Sequence, residues 1–230
     1  MPDSGFHLPH MATSTVENYI KQIYLLQPQS GPGQLVAMGE LAAALAVVPG
    51  TATSMIKTLA EAGLVDYEPR AGVRLTSRGE KLALHVLRRH RLVELFLVQT
   101  LEMDWAEIHA EAEQLEHVIS DRVLERIDAL LGHPTVDPHG DVIPSAAGAV
   151  APRRLVALHH LEPGTDGVVG RIADQADAFL QFIDQQELRP GRGIRILERD
   201  PQGRMVRARL DHGREISLGF GAAAKIEIEV

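Results

Sequence analysis

The chain has 230 residues, 45% of them apolar but only 4% aromatic, and a formal net charge of −8. That length holds one large domain or two to three small ones, with cores built from Leu, Ile, Val and Ala. The absence of Cys excludes disulfides and thiolate metal sites and fits a reducing, cytoplasmic setting, and no apolar run reaches membrane-spanning length.

Residues 1–12 lack a basic stretch followed by an apolar core, so they read as a disordered extension and not as a secretory signal. Val16, Ile20, Ile23, Tyr24 and Leu26 then recur at helical spacing, with Ser14 or Thr15 as the expected N-cap. Pro28 and the SGPG of 30–33 close that helix. A second helix is expected over about 38–46 and a third over about 51–62, ending at Gly63. Two short β runs follow around a turn containing Gly72. A long helix from Ser77 to about Leu101 carries Ser77 and Glu80 in capping-box spacing. Another starts after Asp104 and passes His117, and Ser120 caps one more, to about Leu131. The Pro- and Gly-rich stretch 132–152 reads as a linker, and 153–230 reads as short strands around one helix. The fold class is therefore mainly α with a small β domain. Its domains are 13–76, 77–145 and 153–230, with 146–152 as the connecting linker.

Helix, short turn, helix and a two-stranded wing is the order of a winged helix-turn-helix. In the third helix, Ala52, Met55, Ile56 and Leu59 form an apolar face, and Thr51, Thr53, Ser54, Lys57 and Thr58 lie opposite. Hydroxyls and one ammonium can approach phosphates and base edges without bulk. Arg70 and Arg74 of the wing suit backbone phosphates. The net negative charge argues against nucleic acid, but its distribution does not. Between Lys57 and Arg91 there are eight Lys and Arg against four acids, while Asp104 to Asp128 reverses the sign. The competing reading is a small helical bundle with a hairpin.

The segment IHAEAEQLEHVISD places His109, Glu113, Glu116 and His117 on one helical face. The preceding helix has His90 and Glu94 one turn apart. Packed side by side, the two helices bring six imidazole and carboxylate donors together. Such donors suit Mn(II), Fe(II), Co(II), Ni(II) or Zn(II), and carboxylates can bridge two ions. The plainer reading is two salt-bridged surface helices. His85, His133, His139, His159, His160 and His212 read as surface or satisfied core residues.

The run from YIKQIYLL through GLV, LTSRGEKLA, RRHRL and AEQLEHVISD, with Pro138, His139, Gly140, Ile143 and Pro144, resembles the diphtheria-toxin-repressor (DtxR) family of metal-dependent regulators over about residues 13–145. The resemblance implies a homodimer that binds palindromic double-stranded operators when loaded with metal. It places Glu113, Glu116 and His117 at a regulatory metal site and His90, Glu94 and His109 at a neighbouring ancillary one. Glu113 stands where iron-type members carry Cys, which puts Mn(II) before Fe(II). A first-helix donor falls on Asn18, where well-known members have Met or Asp, and Lys21 stands where manganese regulators use an acid. LEPGTDGVVGRI, ELRPGRGIRILERDPQG and HGREISLG resemble the SH3-like, FeoA-type domain of longer members, a small β barrel, with Asp174, Gln175 and Asp177 near its ancillary ligand position. The function expected is metal-dependent transcriptional repression in metal-ion homeostasis, without catalysis. The rival readings are a helical di-metal carboxylate enzyme and a metal-independent helix-turn-helix regulator.

Overall fold

The computed structural model describes residues 13–27 and 35–230. The expected N-terminal extension and the SGPG turn fall outside these residues. By packing, the chain forms two compact units: one runs to Arg88 and includes 146–148, the other holds 89–145 and 149–230.

In the first unit, α1 (Ser14–Leu26) is capped by Thr13, whose side chain accepts from Val16 N, one residue before the expected Ser14. α2 (Met38–Ala44) and α3 (Pro49–Glu61) turn by 105° at a four-residue break, the bend of a helix-turn-helix. α3 begins earlier than expected. Pro49 does not break it but starts it, because the first helical position needs no N–H and favours proline's φ. Ala52, Ile56 and Leu59 are buried with Ile20, Ile23 and Leu41 in one apolar cluster. Each Ile or Leu removed from water there contributes about 1.5–3 kcal/mol.

β1 (Val65–Glu68) and β2 (Gly72–Leu75) form the expected antiparallel wing. Val36 and Val73 exchange backbone hydrogen bonds of 2.8 and 3.0 Å. Gly72, at φ 148°, is held close by this exchange: a Cβ there would strike the Val36 carbonyl. α4 (Ser77–Leu101) continues from the first unit into the second. Its cap is Thr76 and not Ser77, for the Thr76 hydroxyl accepts from Gly79 N at 3.2 Å.

In the second unit, α5 (Ile108–Leu115) is shorter than expected, and Glu116 and His117 follow its last turn. α6 (Asp121–Leu130) is capped by Ser120, as its sequence indicates. Two small apolar clusters hold this region, one around Leu92, Leu95, Leu124 and Ile127, the other around Val93, Leu97, Ile108 and Ala112. Leu115, Val118, Val123 and Leu130 are large apolar side chains left exposed.

The rest of the unit is β3 (Leu155–Ala157), β4 (Asp166–Ile172), α7 (Asp177–Gln185), β5 (Gly193–Asp200), β6 (Met205–Leu210), β7 (Glu215–Gly219), α8 (Phe220–Ala223) and β8 (Ile226–Glu229). The six strands form one antiparallel sheet in the order β3-β8-β4-β5-β6-β7. In β6, Val206, Ala208 and Leu210 face inward while Met205, Arg207 and Arg209 face out, the period of two expected for a half-buried strand. Trp105 and Ala106 join this sheet's core.

Candidate metal centre and nucleic-acid face

α4 presents His90 and Glu94 one turn apart, and the imidazole Nε2 lies 2.9 Å from Glu94 Oε1. α5 brings His109 to the same carboxylate oxygen at 3.3 Å and to His90 Nε2 at 3.2 Å. Glu113, one turn on, stands 3.7 Å from a ring nitrogen of each histidine. Glu116 closes the other side of His90, with Oε2 at 2.5 Å from Nδ1, and its Oε1 lies 3.4 Å from His117 Nε2. The six residues expected from the sequence thus form one connected network.

The network is graded in exposure. Glu94 and Glu116 are 1% and 0% exposed, whereas the side chains of His109 and Glu113 are 54% and 33% exposed. The buried carboxylates supply charge in a medium that screens it weakly, and the open edge gives solvent access. Burial by itself would raise the Glu94 carboxyl, but the His90 charge and the hydrogen bonds from His109 and His90 hold it well below the usual range. Three carboxylates around His90 and His109 make a donor set suited to a hard or borderline divalent cation.

Two further residues, in a stretch whose composition predicts a linker, lie beside this group. Asp137 and His139 are buried, and each offers a donor atom within 4.8 Å of one from Glu94. His139 Nε2 donates to the Trp105 carbonyl at 3.1 Å, so its Nδ1 carries a lone pair. That Nδ1 is buried without a hydrogen-bond partner among the described residues and faces Glu94 Oε2 at 4.0 Å. A lone pair turned toward a carboxylate fits a cation held between them. Burial, then the neighbouring Asp141 and Glu94 charges, push the Asp137 carboxyl well above its ordinary value. Burial lowers His139, which favours the neutral, ligating imidazole. Asp137 Oδ1 meanwhile accepts from the backbone of His139 and Asp141 at 2.8 and 2.9 Å and so shapes the loop. The local signal was a Pro-His-Gly turn bracketed by two aspartates.

The other candidates divide. Asp174 pairs with Lys225 at 2.6 Å, Gln175 donates to Asp141 at 2.7 Å, and Asp177 is exposed at the start of α7. None of the three joins a donor group among the described residues. Asn18, in the first unit, has a buried Oδ1 with no hydrogen-bond partner among the described residues.

On α3, Thr51, Ser54, Lys57 and Thr58 are exposed. Thr53 is half-buried and its hydroxyl donates back to the Pro49 carbonyl at 2.9 Å. The Thr58 hydroxyl donates likewise to Ser54 O at 3.3 Å. Arg70 is exposed at the wing tip, while Arg74 pairs across the wing with Asp66 at 3.1 Å. Thr51, Ser54, Lys57 and Arg70 therefore offer the least encumbered polar groups.

A winged helix-turn-helix followed by helices bearing a His/Glu centre and a small sheet domain is the layout of a metal-responsive DNA-binding regulator. Comparison with known proteins gives the family. Residues 11–73 match the iron dependent repressor N-terminal DNA binding domain, 76–145 the iron dependent repressor metal binding and dimerisation domain, and 156–230 the FeoA domain. The chain is 36% identical over 121 residues to the HTH-type transcriptional regulator MntR of Lysinibacillus sphaericus, covering 53% of this chain and 84% of that one. It is 32% identical over 158 residues to the iron-dependent repressor IdeR of Mycobacterium leprae, covering 66% and 67%. A solved manganese-dependent transcriptional repressor in complex with manganese aligns with TM-score 0.84 at 39% identity, over 93% of this chain and 98% of that one. The chain belongs to the iron-dependent repressor (DtxR) family and is a metal-dependent transcriptional repressor.

Proposed function

We propose that this repressor senses Mn(II), with Fe(II) as second choice, through Glu113, Glu116, His117, His90, Glu94 and His109. The connected network around His90 carries the proposal: four donor residues, Glu94, His109, Glu113 and Glu116, touch or face its two ring nitrogens. When bound, the ion supplies the positive charge that this carboxylate-rich group lacks. Glu94 and Glu116 hold His90 between them, and Glu113 reaches both His90 and His109. Glu116 and His117 lie where α5 has ended, so their engagement as ligands would fix that turn. Zn(II), Co(II) and Ni(II) also suit imidazole and carboxylate donors. Asn18 enters as a candidate donor on the family resemblance and on its unpartnered amide oxygen.

The protein acts by binding, in the cytoplasm, as a homodimer on a palindromic operator. Two-fold symmetry of the protein calls for two half-sites, each met by one α3 face with Thr51, Thr53, Ser54, Lys57 and Thr58, and by Arg70 and Arg74 of the wing. By linkage, DNA tightens metal binding by the factor with which metal tightens DNA binding.

The test starts from duplexes selected out of a random pool in Mn(II), then titrated with the protein with and without Mn(II), Fe(II) or Zn(II). Metal should strengthen binding by about 5- to 150-fold. The double replacement Glu113→Ala with His117→Ala should abolish that factor, and His159→Ala should leave it intact. Equal affinity with and without metal in the unaltered protein would refute the proposal.

A further inference from the structure

The loop Asp137–Asp141 has two faces. Inward, Asp137 and His139 join Glu94, as described above. Outward, the loop is gripped by the FeoA-type segment. Asp141 accepts from Arg171 Nε at 2.8 Å with one oxygen and from Gln175 Nε2 at 2.7 Å with the other. Ile172 N donates to the His139 carbonyl at 2.8 Å, and Arg153 Nη1 donates to the Gly140 carbonyl at 2.8 Å. Asp141 also faces Arg91 of α4 at 3.6 Å, so this one carboxylate joins the helix bearing His90 and Glu94 to β4. Asp141 is 9% exposed, which leaves these interactions weakly screened.

We propose that Arg171 and Gln175 are positioning residues for the metal centre: by holding Asp141 they fix the loop that aims His139 and Asp137 at Glu94, so docking of the FeoA-type segment and metal occupancy strengthen each other. The proposal rests on the metal reading above, in which Glu94 is a ligand. Partners behind the ligands set their orientation, and their loss costs about 10- to 100-fold in metal affinity. The sign of the effect is diagnostic. Arg171 is a cation, so deleting it would strengthen metal binding if only charge mattered. A positioning role predicts the reverse.

The protein carries its own reporter. Trp105, the single tryptophan, stacks on His139 at 5.4 Å between ring centroids. Mn(II) titrated into the full chain should therefore quench its emission in a saturable way. Arg171→Ala should weaken the apparent affinity by about 10- to 100-fold and Gln175→Leu by less, with partial recovery in Arg171→Lys. Arg195→Ala, which removes an exposed partner of Asp166, should have no effect. Saturating Mn(II) should also slow amide exchange at Ile172 in the unaltered chain and much less in Arg171→Ala. A folded Arg171→Ala protein that binds Mn(II) as tightly as the original, or more tightly, overturns the positioning role. If Arg171→Ala does not fold, Gln175→Leu decides by the same criterion. Absence of saturable Mn(II) binding in the unaltered chain overturns the metal reading itself, and the inference with it.

Discussion

The winged-helix unit and the metal-binding helices solve the same packing problem in opposite ways. The first gathers its buried apolar residues into a single cluster running from Tyr19 to Val86. The charged groups it buries on α1 are of opposite sign and one turn apart, Glu17 and Lys21. The metal-binding helices instead keep two small apolar clusters and bury His90, Glu94, Glu116, Asp137, His139 and Asp141. Carboxylates predominate in that set, and buried charge without full compensation is costly. The first region is finished by its own side chains. The second gathers carboxylates whose charge a bound cation would offset.

The largest expected effect tests the self-sufficient side. Ile56→Ala opens a cavity in the α3 core and should cost about 2–5 kcal/mol, by the same amount with and without Mn(II), in chemical denaturation. Rescue by metal would break the comparison.

On the other side, Asp137→Asn keeps an oxygen for the loop amides but removes a buried negative charge. Without metal it should stabilise the protein by about 1 kcal/mol, a rise of roughly 2–4 °C in melting midpoint, while the shift induced by Mn(II) shrinks. The pH dependence follows from the raised carboxyl. Between the ordinary value of 3.8 and its higher folded value, the folded state holds the proton more tightly than the unfolded chain, so stability falls as pH rises through that window. The gain from Asp137→Asn should therefore be present at neutral pH and vanish below the ordinary carboxylate range. A melting series over pH checks this, and a gain that persists in acid would assign it to packing.

The smallest effects concern charges kept outside. Lys57→Ala should weaken DNA binding evenly across sequences and reduce the salt slope by about 1. Arg74→Ala, whose guanidinium already pairs with Asp66, should change the slope less. An equal change in both would show that the wing pair opens on DNA.

Legibility in the sequence follows the same divide. Periodicity and capping are local, so α1, α4, α6 and the wing could be read directly, with errors of about a residue where adjacent hydroxyls compete for a cap, as Thr76 and Ser77 do. The His90, Glu94, His109 and Glu113 pattern was visible because helical spacing exposes it. The end of α5 was not, because nothing before Glu116 interrupts the helical pattern. Asp137 and His139 are not legible as candidate donors, for a different reason. Their chemistry depends on Glu94, distant in sequence, and on Trp105, whose carbonyl fixes the His139 tautomer. A Pro- and Gly-rich stretch looks the same in sequence whether it is a linker or a docked loop.

One feature of that loop bears on how freely the parts can be exchanged. Gly140, at φ 88°, sits against the backbone of β4, where a Cβ would collide with the Gly170 carbonyl. The three atoms that a Cβ would meet first are all main chain, which cannot swing aside as a flexible side chain can. A FeoA-type domain grafted from a relative would have to reproduce the path of its backbone at 170 before matching any surface residue. Modularity in this protein therefore ends at a seam two peptides wide.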